Sequence, residues 1–428
     1  MEKLYISGGV PLVGELPVQG AKNSALPLFA AALLVKGKTV LHNCPDLTDV
    51  DAACKILNYL GCRISRTGNS VEVDASSVSR SDVPDDLMRE MRSSVVFLGA
   101  IAARTHSAQV SFPGGCELGP RPIDLHLAGL RQLGLKINEE YGLLDCRLES
   151  RRFVGCDISF SFPSVGATEN IMIAAATALG RTVITNAAQE PEIVALAEFL
   201  NLCGAKIYGA GKNTIVIDGV PELHGVEYRV IPDRIVAVTY LCAAAVTGGE
   251  LLLTDVLPEH FSCILPVLDQ AGCKLRADQH SVYLKAPLRL KAFKTIRTMP
   301  YPGFPTDAQA PVMTVAALAS GTTMFVENVF ENRYKHVGEL TRMGAKIKVE
   351  GKVAVVEGVR ALYGANVEAT DLRGGASLVV AGLAASGITA VSKVFHIDRG
   401  YERIEKTLAR LGARIHRESE KQRMFLDE

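Results

Sequence analysis

Neither sign of charge prevails in this 428-residue sequence: 46 basic and 46 acidic side chains leave a formal net charge of zero. That balance supplies no long-range attraction to a nucleic-acid backbone or an anionic membrane, so neither is expected as a partner. A small anionic ligand is still compatible with neutrality, because a few arginines can converge locally. Also missing are a CxxC pair and a Cys/His cluster with zinc spacing, so no metal site is expected. Most of the ten cysteines sit in apolar segments, as at Cys54, Cys62, Cys203, Cys242 and Cys273. They read as small buried hydrophobes in a reducing cytosol. The opening MEKLYISGG has no apolar h-region and enters a strand directly, so no secretory signal is expected. The longest apolar runs, Ala25–Val35 and Ile235–Val246, are too short to span a bilayer. The expectation is a cytoplasmic chain with no membrane insertion and no implied obligate protein partner.

What is present is enough apolar material, 48% of the residues, to fill real cores. The length exceeds what one ordinary core serves, so two domains of roughly 200 residues are expected. The 38 glycines follow no collagen period and read as turns and helix ends.

A helix-to-strand corner recurs six times. It reads YLGCRI at Tyr59–Ile64, QLGLKI at Gln132–Ile137, LCGAKI at Leu202–Ile207, QAGCKL at Gln270–Leu275, RMGAKI at Arg342–Ile347 and RLGARI at Arg410–Ile415. The glycines Gly61, Gly134, Gly204, Gly272, Gly344 and Gly412 are 68 to 73 residues apart. Each follows an amphipathic stretch, where glycine adopts the left-handed conformation that ends a helix. Interleaved with these corners are alanine-rich apolar helices that run into a Gly–Thr turn and a strand, such as NIMIAAATALGRTVITN and VMTVAALASGTTMFVEN. In the sixth, RSSVVFLGAIAARTHSAQVSF, the turn glycine is missing. Alanine on every side lets helices approach closely, which predicts helices packed inward under sheets. Six near-constant units indicate internal duplication, three per domain, with closed pseudo-threefold domains fitting better than a solenoid. The seam is expected near Asp218–Arg234, and the first strand, around Tyr5–Ile6, is expected to pair with the later domain.

Several polar residues are not explained by a repeat scaffold. In QGAKNSALPL, Lys22 and Asn23 stand immediately before a very apolar helix, where unpaired N–H groups and a lysine suit phosphate or carboxylate. The plain alternative is that Asn23 or Ser24 caps the helix and Lys22 is solvated. In FPGGCELGPRPIDLHL, Cys116 sits in a Gly- and Pro-rich loop, a reachable thiol or else an inert exposed one. Arg121, between Pro120 and Pro122, is held on a stiff stretch suited to bidentate anion contact. Arg92, Arg333, Arg373 and Arg399 lie in polar or glycine-rich corners, the last two near Asp371 and Asp398. Each reads singly as a surface ion pair, and together as cations at equivalent helix starts facing one cleft. Asp307, in PGFPTDAQAP, is expected just ahead of a helix beginning near Ala308, as a cap or as a general base.

These strings are where the chain resembles the UDP-N-acetylglucosamine 1-carboxyvinyltransferase family, enolpyruvyl transferases of bacterial peptidoglycan synthesis within the EPSP synthase superfamily. The resemblance runs from Met1 to about Arg417, through GAKNSALPL, PGGCELGPRPIDLH, PSVGATENI, NAAQEPEIV, FPTDAQAP, VFENRYKHV, ATDLRGGASLV and HIDRGYERIE. It implies an inside-out α/β barrel fold: two pseudo-threefold domains built from six βαβαββ repeats, with the active site between them. Residues 1–20 and 230–428 would form one domain, and 21–229 the other. Lys22, Asn23, Arg92, Arg121 and Arg399 match residues that receive phosphoenolpyruvate. Cys116 matches the catalytic cysteine of a mobile loop. Arg121, Pro122, Ile123, Asp124 and Leu125, and Phe162, Pro163, Ser164 and Val165, match segments around the UDP-sugar, joined by Asp307 and Val329. Arg333 and Arg373 match further cleft arginines. Many members carry a lysine and a valine where this chain has Phe162 and Pro163, so weaker or altered nucleotide contact is expected.

The reaction so implied is addition followed by elimination, without a cofactor. The CH₂ carbon of phosphoenolpyruvate is protonated, the sugar 3-hydroxyl attacks the neighbouring carbon, and the resulting ketal loses phosphate and a methyl proton. Lys22, Arg121 and Arg399 would neutralise the anion, and Cys116 would deliver the proton or add reversibly as an O-phosphothioketal. Asp307 would accept the hydroxyl proton. Domain closure would expel water and bring distant arginines to the reacting carbons. The rivals are a shikimate-phosphate carboxyvinyl transferase, which lacks the PGGC loop, and a two-domain sugar-nucleotide clamp without chemistry.

Overall fold

The computed structural model describes residues 2–91, 93–112 and 123–419. They divide into two units: 20–231, and 2–19 together with 232–419. Each has its own core, one drawn from residues 25–230 and the other from 4–18 and 236–415.

The described residues form six separate four-stranded sheets, all with one strand order. The repeat at Asp157–Asp218 shows the pattern complete. Strand Asp157–Ser159 pairs in parallel with Arg181–Thr185, and the buried helix Val165–Ala176 connects them. Helix Pro191–Leu202 then leads into the hairpin Lys206–Tyr208 and Thr214–Asp218, whose second strand pairs antiparallel with Arg181–Thr185. The repeat at 296–357 is built the same way. This is the expected βαβαββ unit and α/β class, with discrete sheets rather than one continuous barrel wall. Strands alternate buried and exposed residues, as in Thr214–Asp218, so one face of each sheet meets solvent.

In unit 20–231 the helices Lys22–Ala32, Phe97–Thr105 and Val165–Ala176 pack on one another. Every residue from Ala167 to Ala176 is buried. Small residues permit that packing. A Cβ on Gly99 would lie 2.4 Å from Asn170 Oδ1, while the Gly99 N–H donates to that same oxygen at 2.8 Å. The unit closes on itself when Glu227–Arg229 pairs in parallel with Lys38–His42.

In the other unit the three packed helices are Arg234–Val246, Thr306–Ala317 and Leu372–Ala384. Strand Val13–Pro17 pairs in parallel with Glu250–Thr254 across the intervening 20–231. The first strand, Glu2–Ser7, lies between Ile388–Ser392 and Arg414–Ser419 and pairs with both.

The six corner glycines all adopt positive φ, from 94° at Gly272 to 104° at Gly61. Where the alanine-rich helix lacks its glycine, His106 takes the left-handed conformation instead, at φ 66°. Nine described cysteines are free, and burial pushes the thiols of Cys44, Cys146, Cys203 and Cys273 up to about 12. Among the described residues, no helix is long and apolar enough to cross a membrane.

Candidate functional site

The helix starts carry the polar chemistry. In unit 20–231, Lys22 and Asn23 are the first two residues of helix Lys22–Ala32 rather than lying just before it, and Ala21 provides the N-cap without a side-chain cap bond. Neither Asn23 nor Ser24 caps it. Lys22 is not solvated: it is 7% exposed, and its Nζ lies 2.9 Å from Asp49 Oδ2, itself buried. Asn23 is exposed beside it. A buried ammonium with a carboxylate on one side and helix N–H groups nearby is a prepared seat for an anion.

The two other segments expected in this unit come together through Asn170. Its Nδ2 donates to Val95 O at 2.8 Å and to His126 Nδ1 at 3.1 Å, and its Oδ1 accepts from Gly99. His126 belongs to helix Asp124–Gln132, directly after Ile123, Asp124 and Leu125. A Cβ on Gly166 would come within 3.0 Å of the His126 ring, so the helix following Phe162–Val165 seats against His126. Ser164 caps that helix, accepting from Ala167 N at 3.4 Å. Phe162 is 44% exposed, Pro163 and Val165 are half-buried, Ile123 is buried and Asp124 is exposed. Arg92, Cys116, Arg121 and Pro122 lie outside the described residues.

The second cluster belongs to unit 2–19 with 232–419. Asp307 is not ahead of its helix but the second residue of Thr306–Ala317, and Pro305 holds the N-cap position. Arg333 Nη2 donates to Asp307 Oδ1 at 2.6 Å and to Thr306 O at 3.2 Å, and Arg373 Nη2 reaches Asp307 Oδ2 at 3.4 Å. The arginine side chains are each 3% exposed and Asp307 is 28% exposed. These arginines are therefore not surface ion pairs. Burial alone would lower the Arg373 pKa, but Tyr401, Asp307 and Asp233 outweigh it and the guanidinium is held above its usual range. Arg373 Nη1 donates to the Tyr401 hydroxyl at 3.1 Å. Because Thr239 Oγ1 donates to Ile235 O, the Tyr401 hydroxyl donates in turn to Thr239 at 2.9 Å.

The aspartates expected beside Arg373 and Arg399 have other work. Asp371 caps helix Leu372–Ala384 through the N–H groups of Arg373 and Gly374, both at 3.0 Å. Asp398 pairs with Arg417 at 2.6 Å. Arg399 is half-buried, two residues before Tyr401. Val329 sits in a turn fixed by Glu327, whose Oε1 accepts from Val329 N and Phe330 N at 2.9 and 3.0 Å. His336 is fully buried, and among the described residues neither ring nitrogen has a hydrogen-bond partner. Burial lowers its pKa to about 4.

Thus Asp307, Val329, Arg333 and Arg373 gather in one unit, and Lys22, Asn23, Ile123–Leu125 and Phe162–Val165 belong to the other. Asp49, His126, Asn170, Glu327 and Tyr401 were not anticipated. Their partners are remote in sequence, and the strings that contain His126, Asn170 and Tyr401 do not announce those pairings.

Comparison with known proteins gives the class first. The enolpyruvyl transferase NikO from Streptomyces tendae superposes with a TM-score of 0.88 at 27% identity, covering 97% of this chain and 98% of that one. An EPSP synthase from Acinetobacter baumannii shares the fold, with a TM-score of 0.76 at 19% identity over 98% of this chain and all of that one. Six sheets outside and buried helices inside are thus the architecture of the enolpyruvyl transferases, and the chain is a transferase of this class.

The profile of the EPSP synthase (3-phosphoshikimate 1-carboxyvinyltransferase) family matches residues 6–408. The UDP-N-acetylglucosamine 1-carboxyvinyltransferase 2 of Caldanaerobacter subterraneus subsp. tengcongensis is 53% identical over 417 residues, covering 97% of this chain and 100% of the relative. The UDP-N-acetylglucosamine 1-carboxyvinyltransferase 1 of Symbiobacterium thermophilum is 49% identical over 421 residues, covering 97% and 95%. The chain belongs to the EPSP synthase family, on its UDP-N-acetylglucosamine 1-carboxyvinyltransferase branch.

Proposed function

We propose that this transferase moves the carboxyvinyl group of phosphoenolpyruvate to the 3-hydroxyl of UDP-N-acetylglucosamine and releases phosphate. The observation that carries the reading is Asp307: a partly exposed carboxylate on a helix start, gripped by two nearly buried arginines. The names of the relatives support the choice of acceptor.

The chemistry asks little base strength of Asp307. Once the CH₂ carbon of phosphoenolpyruvate is protonated, the neighbouring carbon is cationic. The hydroxyl that bonds to it becomes strongly acidic as the C–O bond forms. A fixed carboxylate then needs only to stand within hydrogen-bond reach at that moment.

Lys22 and Asn23, with Arg92, Arg121 and Arg399, are assigned to the phosphate and carboxylate of phosphoenolpyruvate. Cys116 is assigned the proton transfer to CH₂, and its sulfur can bond to the adjacent carbon as a reversible O-phosphothioketal. No separate cofactor enters this scheme. Ile123, Asp124, Leu125, Phe162, Pro163, Ser164, Val165 and Val329 are assigned to the UDP-sugar. Free thiols at nine described cysteines suit a reducing cytoplasm, where we place the reaction.

The test is phosphate release from phosphoenolpyruvate with each acceptor in turn. Release that requires UDP-N-acetylglucosamine is the expected result. Release with shikimate 3-phosphate alone overturns the acceptor, and no release with either overturns the reading.

A further inference from the structure

We propose that Glu327 is a positioning residue for the transfer, holding the start of the Asp307 helix against the turn that carries Val329; the inference rests on the role proposed for Asp307. Glu327 follows strand Thr322–Val326 and is 1% exposed. Its Oε1 accepts from Thr298 Oγ1 at 2.9 Å as well as from the N–H groups of Val329 and Phe330. Its Oε2 accepts from Thr306 Oγ1 at 3.0 Å. All four donors are uncharged.

Burying a carboxylate is costly unless hydrogen bonds replace water. Here four donors do so, and they come from three separate stretches of chain. Thr298 extends the tie, because its hydroxyl also accepts from Asn328 N at 2.9 Å. Thr306 is held at both ends: its hydroxyl by Glu327 and its carbonyl by Arg333. The next residue is Asp307. Glu327 therefore sets where the Asp307 backbone starts, and Arg333 sets where its carboxylate points. A displacement of about 1 Å in such a group costs on the order of 100-fold in rate.

The experiment uses the full chain with Thr306→Val, Thr306→Ser, Glu327→Gln and the Thr306→Val/Glu327→Gln pair, with Asp307→Asn alongside. Thr306→Val removes only the hydroxyl link at nearly constant volume. Its kcat is expected to fall about 10- to 100-fold with little change in KM for phosphoenolpyruvate, and Thr306→Ser is expected to restore it. In the double variant the combined loss is expected to be less than the product of the single losses, because both changes break one tie. Independent, multiplicative losses overturn the inference, as does a Thr306→Val loss that serine does not rescue. Full turnover by Asp307→Asn would instead sink the role proposed for Asp307. An inactive Asp307→Asn beside a fully active Thr306→Val overturns the positioning role alone.

Discussion

Arg333 reaches the Asp307 carboxylate at 2.6 Å and, with the same Nη2, the carbonyl of Thr306 at 3.2 Å. One guanidinium thus fixes both the backbone and the side chain at a helix start. A lysine carries its ammonium on a flexible, unbranched stem and does not hold a nitrogen where the rigid guanidinium plane places Nη2. Arg333→Lys is expected to lower kcat about 10- to 100-fold while the protein stays folded, read by steady-state turnover beside a thermal melt. Unchanged kcat would show that the guanidinium is dispensable.

Lys22 and Asp49 are both buried, so each helps the other tolerate its charge. Asp49→Asn is expected to destabilise the protein by roughly 1–3 kcal/mol, because the ammonium loses its charged partner. Adding Lys22→Met to Asp49→Asn is expected to recover part of that stability, though not turnover. Chemical denaturation of the four proteins in the cycle gives the coupling, and strict additivity would contradict it.

Phe162 stands 44% exposed at the position where the family resemblance implies a lysine in other members. Phe162→Lys adds a cation without burying it. The KM for UDP-N-acetylglucosamine is expected to fall several-fold at low salt, with the gain shrinking as ionic strength rises. A KM that does not move would mean the charge is supplied elsewhere.

His336 makes the fold acid-sensitive. Burial depresses its pKa from 6.5 to about 4, so between these values the unfolded chain binds a proton that the folded chain refuses. Its contribution is intact above pH 6.5 and is lost as pH falls towards about 4. His336→Leu is expected to flatten the decline of Tm across that window. Parallel melting curves for the two proteins would exclude the assignment.

Cys116→Asp replaces one proton donor by another. Turnover is expected to persist and to decline as pH rises through the carboxyl range, because only the protonated acid donates. Abolished turnover at every pH would point to an obligatory covalent step at sulfur.

The repeats were legible because a physical requirement recurs: a left-handed residue must end each amphipathic helix, and glycine meets it at six sites. The alanine-rich helices are followed by left-handed glycines too, and there the exception at His106 shows that the conformation, not the residue type, is required. Polar positions were legible to within one or two residues, and that margin decides chemistry. Asp233 and Asp371 cap their helices, whereas Asp307 sits one step inside its own helix and leaves its carboxylate to the arginines. Pairings across the chain were not legible. Asp398 pairs with Arg417, 19 residues further along the chain. Glu327 draws hydroxyl donors from 21 and 29 residues away, a relation that appears only once the strands are in register.

The interlaced strands also set an order of events during synthesis. Residues 20–231 hold every strand their three sheets need, down to Glu227–Arg229 beside Lys38–His42. That unit can complete itself while the rest of the chain is still being translated. Strand Val13–Pro17 must wait for Glu250–Thr254, and Glu2–Ser7 must wait for Ile388–Ser392 and Arg414–Ser419. Segments translated before the 20–231 unit are thus among the last to find their partners.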